Sequence, residues 1–181
     1  MSMPITAPRY TVHDLDAFPD DGNRYELLDG MLLVTPLAAN AHQVISTRLT
    51  SLLWNAVGRT EEAFVVGPGA IRRAPSLHLE PDILVYPSRF SPGTKWDDIT
   101  EHWLAVEILS RSSRMYDREF KRDAYLALGV PEVWLVDATA KSVEVNRVGF
   151  DETARDTLRW RVPTLDRIVA IDLAEVFAGI D

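Results

Sequence analysis

Short apolar runs separated by Gly, Pro and Ser constrain the fold of this chain more than any other feature. They cover residues 64–66, 69–73, 82–86 and 103–109. Apolar runs of this length, bounded by turn-forming residues, are typical of β-strands. We therefore expect successive strands, with residues 88–100 forming a polar loop between the last two.

Two further segments predict β-hairpins. In residues 24–36, RYELL and MLLVT flank Asp29-Gly30, a dipeptide that favours the tight turn of a hairpin and places Glu26 in the middle of the first strand. Residues 132–137 and 142–148 predict a second hairpin. A weaker strand is expected near Trp160.

Two main helices are predicted. The first ends at Gly58, and Asn40 followed by Gln43 resembles a capping box at its start. Its apolar residues recur at helical spacing: Ile45, Leu49, Leu52, Leu53 and Ala56. The second covers residues 115–128 and is closed by Gly129. With short helices at 11–18 and 173–177, the pattern indicates an α/β or α+β fold.

Composition narrows the class of protein. A length of 181 residues suits one domain, residues 1–181, and a hydrophobic fraction of 46% is that of an ordinary globular chain. The absence of cysteine excludes disulfides, thiolate zinc sites and a cysteine nucleophile, so any metal must be held by oxygen or imidazole. No signal-like start or bilayer-length apolar segment is present, so we expect a cytoplasmic protein without a membrane partner.

The overall charge opposes unspecific binding to polyanions. Lys and Arg number 19 against 27 Asp and Glu, which gives a net charge of −8. Residues 111–122 are locally basic, with five bases against two acids. On a helical wheel the basic face lies opposite the apolar residues Phe120, Ala124, Ala127 and Leu128. The candidate phosphate-binding residues are Arg111, Arg114, Arg118 and Arg122; a solvated helix surface is the alternative.

Two acids stand in apolar runs. Asp82 follows Pro81 at the start of one run, and Glu107 interrupts another. A carboxylate in such a position requires a partner or a cation, because its desolvation is costly. Mg²⁺ takes one or two carboxylates and leaves positions for water and phosphate, as phosphodiester hydrolysis requires. Alternatively, Asp82 caps a turn and Glu107 pairs with an arginine. Glu80, on the same side as Asp82, is a further possible ligand or a solvated turn residue.

Lys121 falls at the border between the apolar and basic faces of the second helix. Its side chain could extend along the sheet and hold its ammonium group where a water or phosphate oxygen would lie. The alternative is an exposed i,i+4 ion pair with Asp117, which contributes only about 0.2–0.5 kcal/mol.

Five motifs occur in order between about Tyr10 and Phe177: RYELLDG at 24–30, PDILVY at 81–86, LAVEILS at 104–110, the series Asp117, Lys121 and Tyr125, and GVPEVWLVD at 129–137. This set resembles the Uma-type family of restriction endonucleases, formerly a domain of unknown function, in the PD-(D/E)XK nuclease superfamily. The resemblance implies a restriction-endonuclease-like fold with a central mixed sheet flanked by helices, a DNA substrate and a homodimer.

The resemblance also implies roles for individual residues. Asp82 matches the PD aspartate, Glu107 the second acid, and Glu26 an additional acid from the N-terminal part. Leu109 replaces the lysine that normally follows the second acid, and Lys121 resembles a relocated lysine.

Two further residues are secondary candidates. The family resemblance places His42 near the site, where it could bind metal or orient a phosphate; a hydrogen-bonded core histidine is the alternative. Tyr125 could donate a hydrogen bond near the site or simply pack.

Together these features predict an endonuclease that uses Mg²⁺ or Mn²⁺. Asp82 and Glu107 would be the metal ligands, with Glu26 as an outer ligand or a ligand to a second ion, and Lys121 would offset developing negative charge. One alternative is a nuclease fold that binds DNA or protein without cutting. Another is a metal-dependent hydrolase of a smaller phosphate ester.

Overall fold

A computed structural model gives the fold of residues 9–36, 38–110 and 114–180. Its strands are β1 (Arg24–Leu28), β2 (Met31–Thr35), β3 (Ala63–Val66), β4 (Ile71–Arg73), β5 (Leu77–Leu79), β6 (Ile83–Pro87), β7 (Leu104–Ile108), β8 (Val133–Asp137), β9 (Ser142–Arg147), β10 (Phe150–Ala154), β11 (Thr157–Arg161) and β12 (Ile168–Asp172). The α-helices are α1 (Val12–Leu15), α2 (Asn40–Leu53), α3 (Arg114–Tyr116), α4 (Arg122–Ala127) and α5 (Leu173–Val176). Trp54–Gly58 and Asp117–Lys121 form π-helical segments, and Trp96–Asp98 forms a 3-10 turn.

The central sheet is mixed, as predicted. Its order is β10-β9-β8-β7-β6-β3, and β7 pairs parallel with β8 while the other pairs are antiparallel. A parallel pair needs a long connection, which here is α3, the π segment Asp117–Lys121 and α4 in direct succession. We call this connection the crossover helix. A four-stranded sheet in the order β2-β1-β5-β4 and the pair β11-β12 complete the sheets of the described residues.

The first predicted hairpin is confirmed. β1 and β2 pair antiparallel with Glu26 opposite Leu33, and the turn residues Asp29 and Gly30 have φ of 50° and 80°. Two successive positive φ values suit Asp-Gly and match the twist of the strands. The second hairpin, β8 with β9, is confirmed as well.

The long helix α2 packs on the central sheet through Ile45, Leu49 and Leu53, which are fully buried. The π segment extends it to Gly58, as predicted. The predicted capping box is wrong, because Asn40 is already helical. Ala39 occupies the N-cap position, and no side chain caps the helix start.

The inward face of the crossover helix is polar. Asp117, Lys121 and Tyr125 are buried there, whereas Phe120 and Ala127, which the helical wheel placed inward, are exposed. The buried residues are spaced four apart, so the face that packs on the sheet is centred on Lys121, and Phe120 and Ala127 fall outside it. Gly129, with φ of 86°, follows the helix end as predicted.

The sequence patterns did not predict three of the strands: β5, β10 and β12. β5 has three residues, too few for a pattern, and β10 is FDETA, a polar and largely exposed sequence. The helix predicted at 11–18 is shorter, with α1 capped by Thr11 and Asp14. No helix within the described ranges is long and apolar enough to cross a membrane.

Candidate active site

Strand pairing brings Asp82 and Glu107 together. In the antiparallel pair of β6 and β7, Ile83 lies opposite Val106, and continuing this register by one residue puts Asp82 opposite Glu107. Directly opposed side chains have Cβ atoms about 4.5–5.5 Å apart. The Ile108 amide donates a hydrogen bond of 2.8 Å to Asp82 Oδ2, which joins the strands at this point. Both acids are buried.

Asp82 is held by basic side chains from two other elements. Its Oδ1 lies 3.0 Å from Nη1 of Arg24 on β1 and 3.2 Å from Nε2 of His42 in the first turn of α2. Burial raises the pKa of Asp82, but His42, Arg24 and the Ile108 amide outweigh it, so the pKa is lowered. Asp82 is therefore ionised. His42 points towards it from the first turn of α2.

Lys121 is a buried ammonium group surrounded by carboxylates. Its Nζ lies 2.9 Å from Glu26 Oε1, 2.6 Å from Glu107 Oε1 and 3.8 Å from Asp117 Oδ1. Burial lowers the pKa of Lys121, but these three carboxylates more than compensate and the net shift is upward. The pair with Asp117 exists, but it is the longest of the three contacts. Lys121 thus reaches inward, towards the acids.

Glu107 lies between Lys121 and Tyr125, whose hydroxyl donates a hydrogen bond of 2.6 Å to Glu107 Oε1. Burial raises the pKa of Glu107 well above its usual value, and the nearby acids add to this while Lys121 opposes it. Tyr125 thus donates a hydrogen bond and packs as well. Glu26 Oε1 also accepts a hydrogen bond of 2.7 Å from the Glu80 amide. Glu80 itself is half-exposed and contacts Arg24 and His78.

These groups line one cavity of about 270 Å³, which we call the carboxylate cavity. Its charged or ionisable lining residues are Arg24, Glu26, His42, Asp82, Glu107, Asp117 and Lys121. Among these described lining residues, the four acids outnumber the two bases Arg24 and Lys121, so acidic groups are in excess at this place. Such an excess in a buried site attracts protons or a cation.

Comparison of the whole chain with known proteins identifies its family. The fold matches the crystal structure of "a putative nuclease belonging to DUF820" from Anabaena variabilis with a TM-score of 0.76 and 18% identity, over 93% of this chain and 97% of that one. A family model described as "Putative restriction endonuclease", Uma2, matches residues 12–172. The chain belongs to the Uma2 family. No curated protein gives a significant match.

The matched Uma2 region contains all residues of the carboxylate cavity named above. The resemblance predicted from the sequence motifs is thereby confirmed, and so is the restriction-endonuclease-like fold with its central mixed sheet. The family description and the structural neighbour together associate the Uma2 fold with nucleases.

The donor chemistry of this Uma2 site suits a hard divalent cation. Asp82 and Glu107 are acids of the same cavity, where acidic lining groups outnumber basic ones, and Mg²⁺ needs one or two protein carboxylates beside water and phosphate oxygens. Within residues 9–36, 38–110 and 114–180, no three His, Asp or Glu side chains form a preassembled metal cluster. Both oxygens of Glu26 contact Lys121 or the Glu80 amide.

The described arginines of the predicted strip, Arg114, Arg118 and Arg122, pair with acids outside the carboxylate cavity. Arg114 forms a bidentate pair with Asp137 at 2.8 and 3.3 Å, and Arg118 pairs with Glu144 and Asp137. Arg122 lies 2.8 Å from Asp123. None of these three arginines lines the cavity. Arg111 lies outside the described residues.

Arg24 is the site residue that sequence reasoning missed. It is partly buried, lines the cavity and contacts both Asp82 and Glu80. The available signal was its place in RYELLDG, two residues before Glu26 and hence on the same side of β1.

Proposed function

We propose that this Uma2 protein is an endonuclease that hydrolyses DNA phosphodiester bonds with Mg²⁺ or Mn²⁺. The observation that carries the proposal is that Asp82 and Glu107, at the adjoining ends of the paired strands β6 and β7, line one acid-rich cavity beside the buried Lys121. A phosphodiester is an anion, so it needs a cation to enter such a site, and one or two carboxylates are what Mg²⁺ requires of a protein.

Asp82 and Glu107 are the residues that would hold the ion. When bound, the ion would lower the pKa of water and stabilise negative charge on the phosphate. Arg24 and His42 orient the Asp82 carboxylate, and Tyr125 orients that of Glu107. Lys121 offers its ammonium group to a phosphate oxygen, and Glu26 fixes the position of Lys121.

The test is cleavage of plasmid DNA and labelled oligonucleotides in the presence of Mg²⁺ or Mn²⁺. Asp82→Asn and Glu107→Gln should each lower the rate at least about 100-fold, because both remove a charge that holds the ion. Glu152→Gln, an exposed acid paired with Arg147, is the matched control and should cleave like the unaltered protein. Activity that survives both site substitutions would refute the assignment.

A second candidate is a nuclease fold that binds nucleic acid without cutting it. It is favoured by the contacts of Asp82, whose two oxygens already accept from Arg24, His42 and the Ile108 amide. Calorimetry with Mn²⁺ separates the two, because a non-cutting protein should show no metal affinity that depends on Asp82. PD-(D/E)XK membership, a homodimer, a cytoplasmic location and a single domain over residues 1–181 stay predictions.

A further inference from the structure

A second cavity, of about 250 Å³, adjoins the carboxylate cavity; we call it the side cavity. The two cavities share five lining residues: Glu26, Thr35, Pro36, Asp117 and Lys121. The remaining lining residues of the side cavity are Leu32, Leu33, Val34 and Tyr116. It therefore has an apolar wall from β2, an aromatic residue from the crossover helix, and charged groups where it meets the candidate active site.

Tyr116 stands at the edge of the side cavity with 37% of its surface exposed. Its ring packs on that of Phe120 with centroids 5.4 Å apart, so the neighbouring ring supports it from one side. Met115, Phe120 and Val34 are also exposed. Clustered exposed apolar groups beside a cavity indicate a binding surface, and an aromatic ring favours a flat apolar partner.

The charges around the site do not favour binding to the phosphate groups of a duplex. Among the described residues of the crossover helix, all three arginines pair with acids. The chain as a whole carries −8. Duplex binding depends on unpaired cations that displace counterions along the phosphate backbone. With these three arginines engaged, we expect contacts with the bases to contribute a large share of the affinity for a nucleic acid.

We propose that the side cavity binds an unpaired nucleobase next to the phosphodiester in the carboxylate cavity, so that the substrate is a single strand of DNA. The inference rests on the proposed nuclease function and names the substrate class of the same site. Bases within a duplex are stacked and reach such a cavity only after unpairing. In a single strand the base is free to stack on Tyr116, while Thr35, which also lines the side cavity, offers a hydroxyl group to its edge.

The first experiment measures binding of a labelled single strand by fluorescence anisotropy, with Ca²⁺ in place of Mg²⁺. Tyr116→Ala should weaken binding roughly 5- to 100-fold, the factor expected for the loss of one stacked base. Tyr116→Phe keeps the ring and should bind like the unaltered protein. Phe150→Ala removes another exposed ring, on β10 and away from both cavities, and should also have no effect.

The second experiment repeats the titration with a strand of abasic nucleotides. If Tyr116 stacks on a base, the abasic strand should bind the unaltered protein as weakly as the ordinary strand binds Tyr116→Ala, with no further loss in the variant. Equal losses for Tyr116→Ala on both strands would overturn the inference, because Tyr116 would then act on the fold. So would duplex binding as tight as single-strand binding.

Two readouts separate this inference from the proposed function. Tyr116-dependent strand binding without cleavage in Mg²⁺ would refute the nuclease and leave the nucleobase site standing. Cleavage that is indifferent to Tyr116→Ala would refute the nucleobase site alone. Sedimentation is the last check: if Tyr116→Ala turns a dimer into a monomer, a second copy of the chain occupies the side cavity and the inference fails.

Discussion

At the scale of single residues, the decisive feature is an ammonium group enclosed by acids. Lys121 is buried, with 3% of its surface exposed, and contacts Glu26, Glu107 and Asp117. The three acids outnumber this one positive charge, and burial increases the free-energy cost of ionising all of them. Burial first, and then the neighbouring acids, raise the pKa of Glu107, and the same acids make the site suitable for a divalent cation.

The protonation of Glu107 predicts a pH dependence of stability. Because folding raises its pKa, the folded chain keeps a proton that the unfolded chain has lost above its usual pKa. Without metal, the free energy of unfolding should therefore fall with rising pH, by up to about 1.4 kcal/mol per pH unit until the folded pKa is passed.

Urea denaturation between about pH 5 and pH 8 tests this by comparison with Glu107→Gln, which has no proton to lose at that position. The two proteins share all other titrating groups, so the difference in slope belongs to Glu107. Parallel curves would mean that Glu107 is ionised throughout this range and that Lys121 neutralises it.

At the scale of elements, the site depends on how tightly β6 is held at its start. The chain passes close to Asp82 after β3, and a Cβ atom at Gly67 would lie 2.7 Å from the Asp82 carbonyl oxygen. Backbone cannot move aside as a flexible side chain does. The glycine thus permits the close approach that sets the position of Asp82 opposite Glu107.

Gly67→Ala should therefore displace Asp82 and lower both cleavage and stability, the latter by about 1–3 kcal/mol, as is typical of overpacking. Gly93→Ala is the matched control, because a Cβ atom at Gly93 meets no atom within 4 Å. Urea denaturation and cleavage of a labelled single strand measure the two effects. A Gly67→Ala protein that cleaves and unfolds like Gly93→Ala would show that β6 tolerates a shift at this point.

At the scale of the whole molecule, the balance of charge bears on how a nucleic acid can bind. The net charge is −8, and Arg114, Arg118 and Arg122 are engaged with acids of the same chain. Among the described residues that line the carboxylate cavity, Arg24 and Lys121 are the arginine and lysine side chains that could release counterions from a strand. Binding should consequently depend more on base stacking than on ionic contacts.

The affinity for a single strand should therefore change little with salt. A strand that gains one or two phosphate contacts has a slope of log K against log salt of about −0.7 to −1.4. Anisotropy titrations over a series of salt concentrations measure this slope. A much steeper slope would show that the arginines leave their acidic partners and bind phosphates; Glu144→Gln, which removes one of the two acidic partners of Arg118, should then steepen it further.

Local sequence patterns alone determined much of this protein. The Asp29-Gly30 turn, the α2 stripe of Ile45, Leu49 and Leu53, and the ordered family motifs each depend on residues close together in the chain. Periodicity and turn chemistry are local properties, so they predict hairpins, helices and apolar strands without knowledge of the fold. The acids Asp82 and Glu107 were identified for the same reason, as charges inside apolar runs.

Tertiary structure alone decided the partners of those charges. Arg24 contacts Asp82, 58 residues away in the sequence, and Lys121 contacts Glu26, 95 residues away. Only the order and register of the strands bring such distant residues together. Packing on the sheet decided which face of the crossover helix turns inward, and it buried Asp117, Lys121 and Tyr125 while leaving Phe120 exposed. Ion pairs form where folded elements meet, and a pattern within one element carries no information about its neighbour.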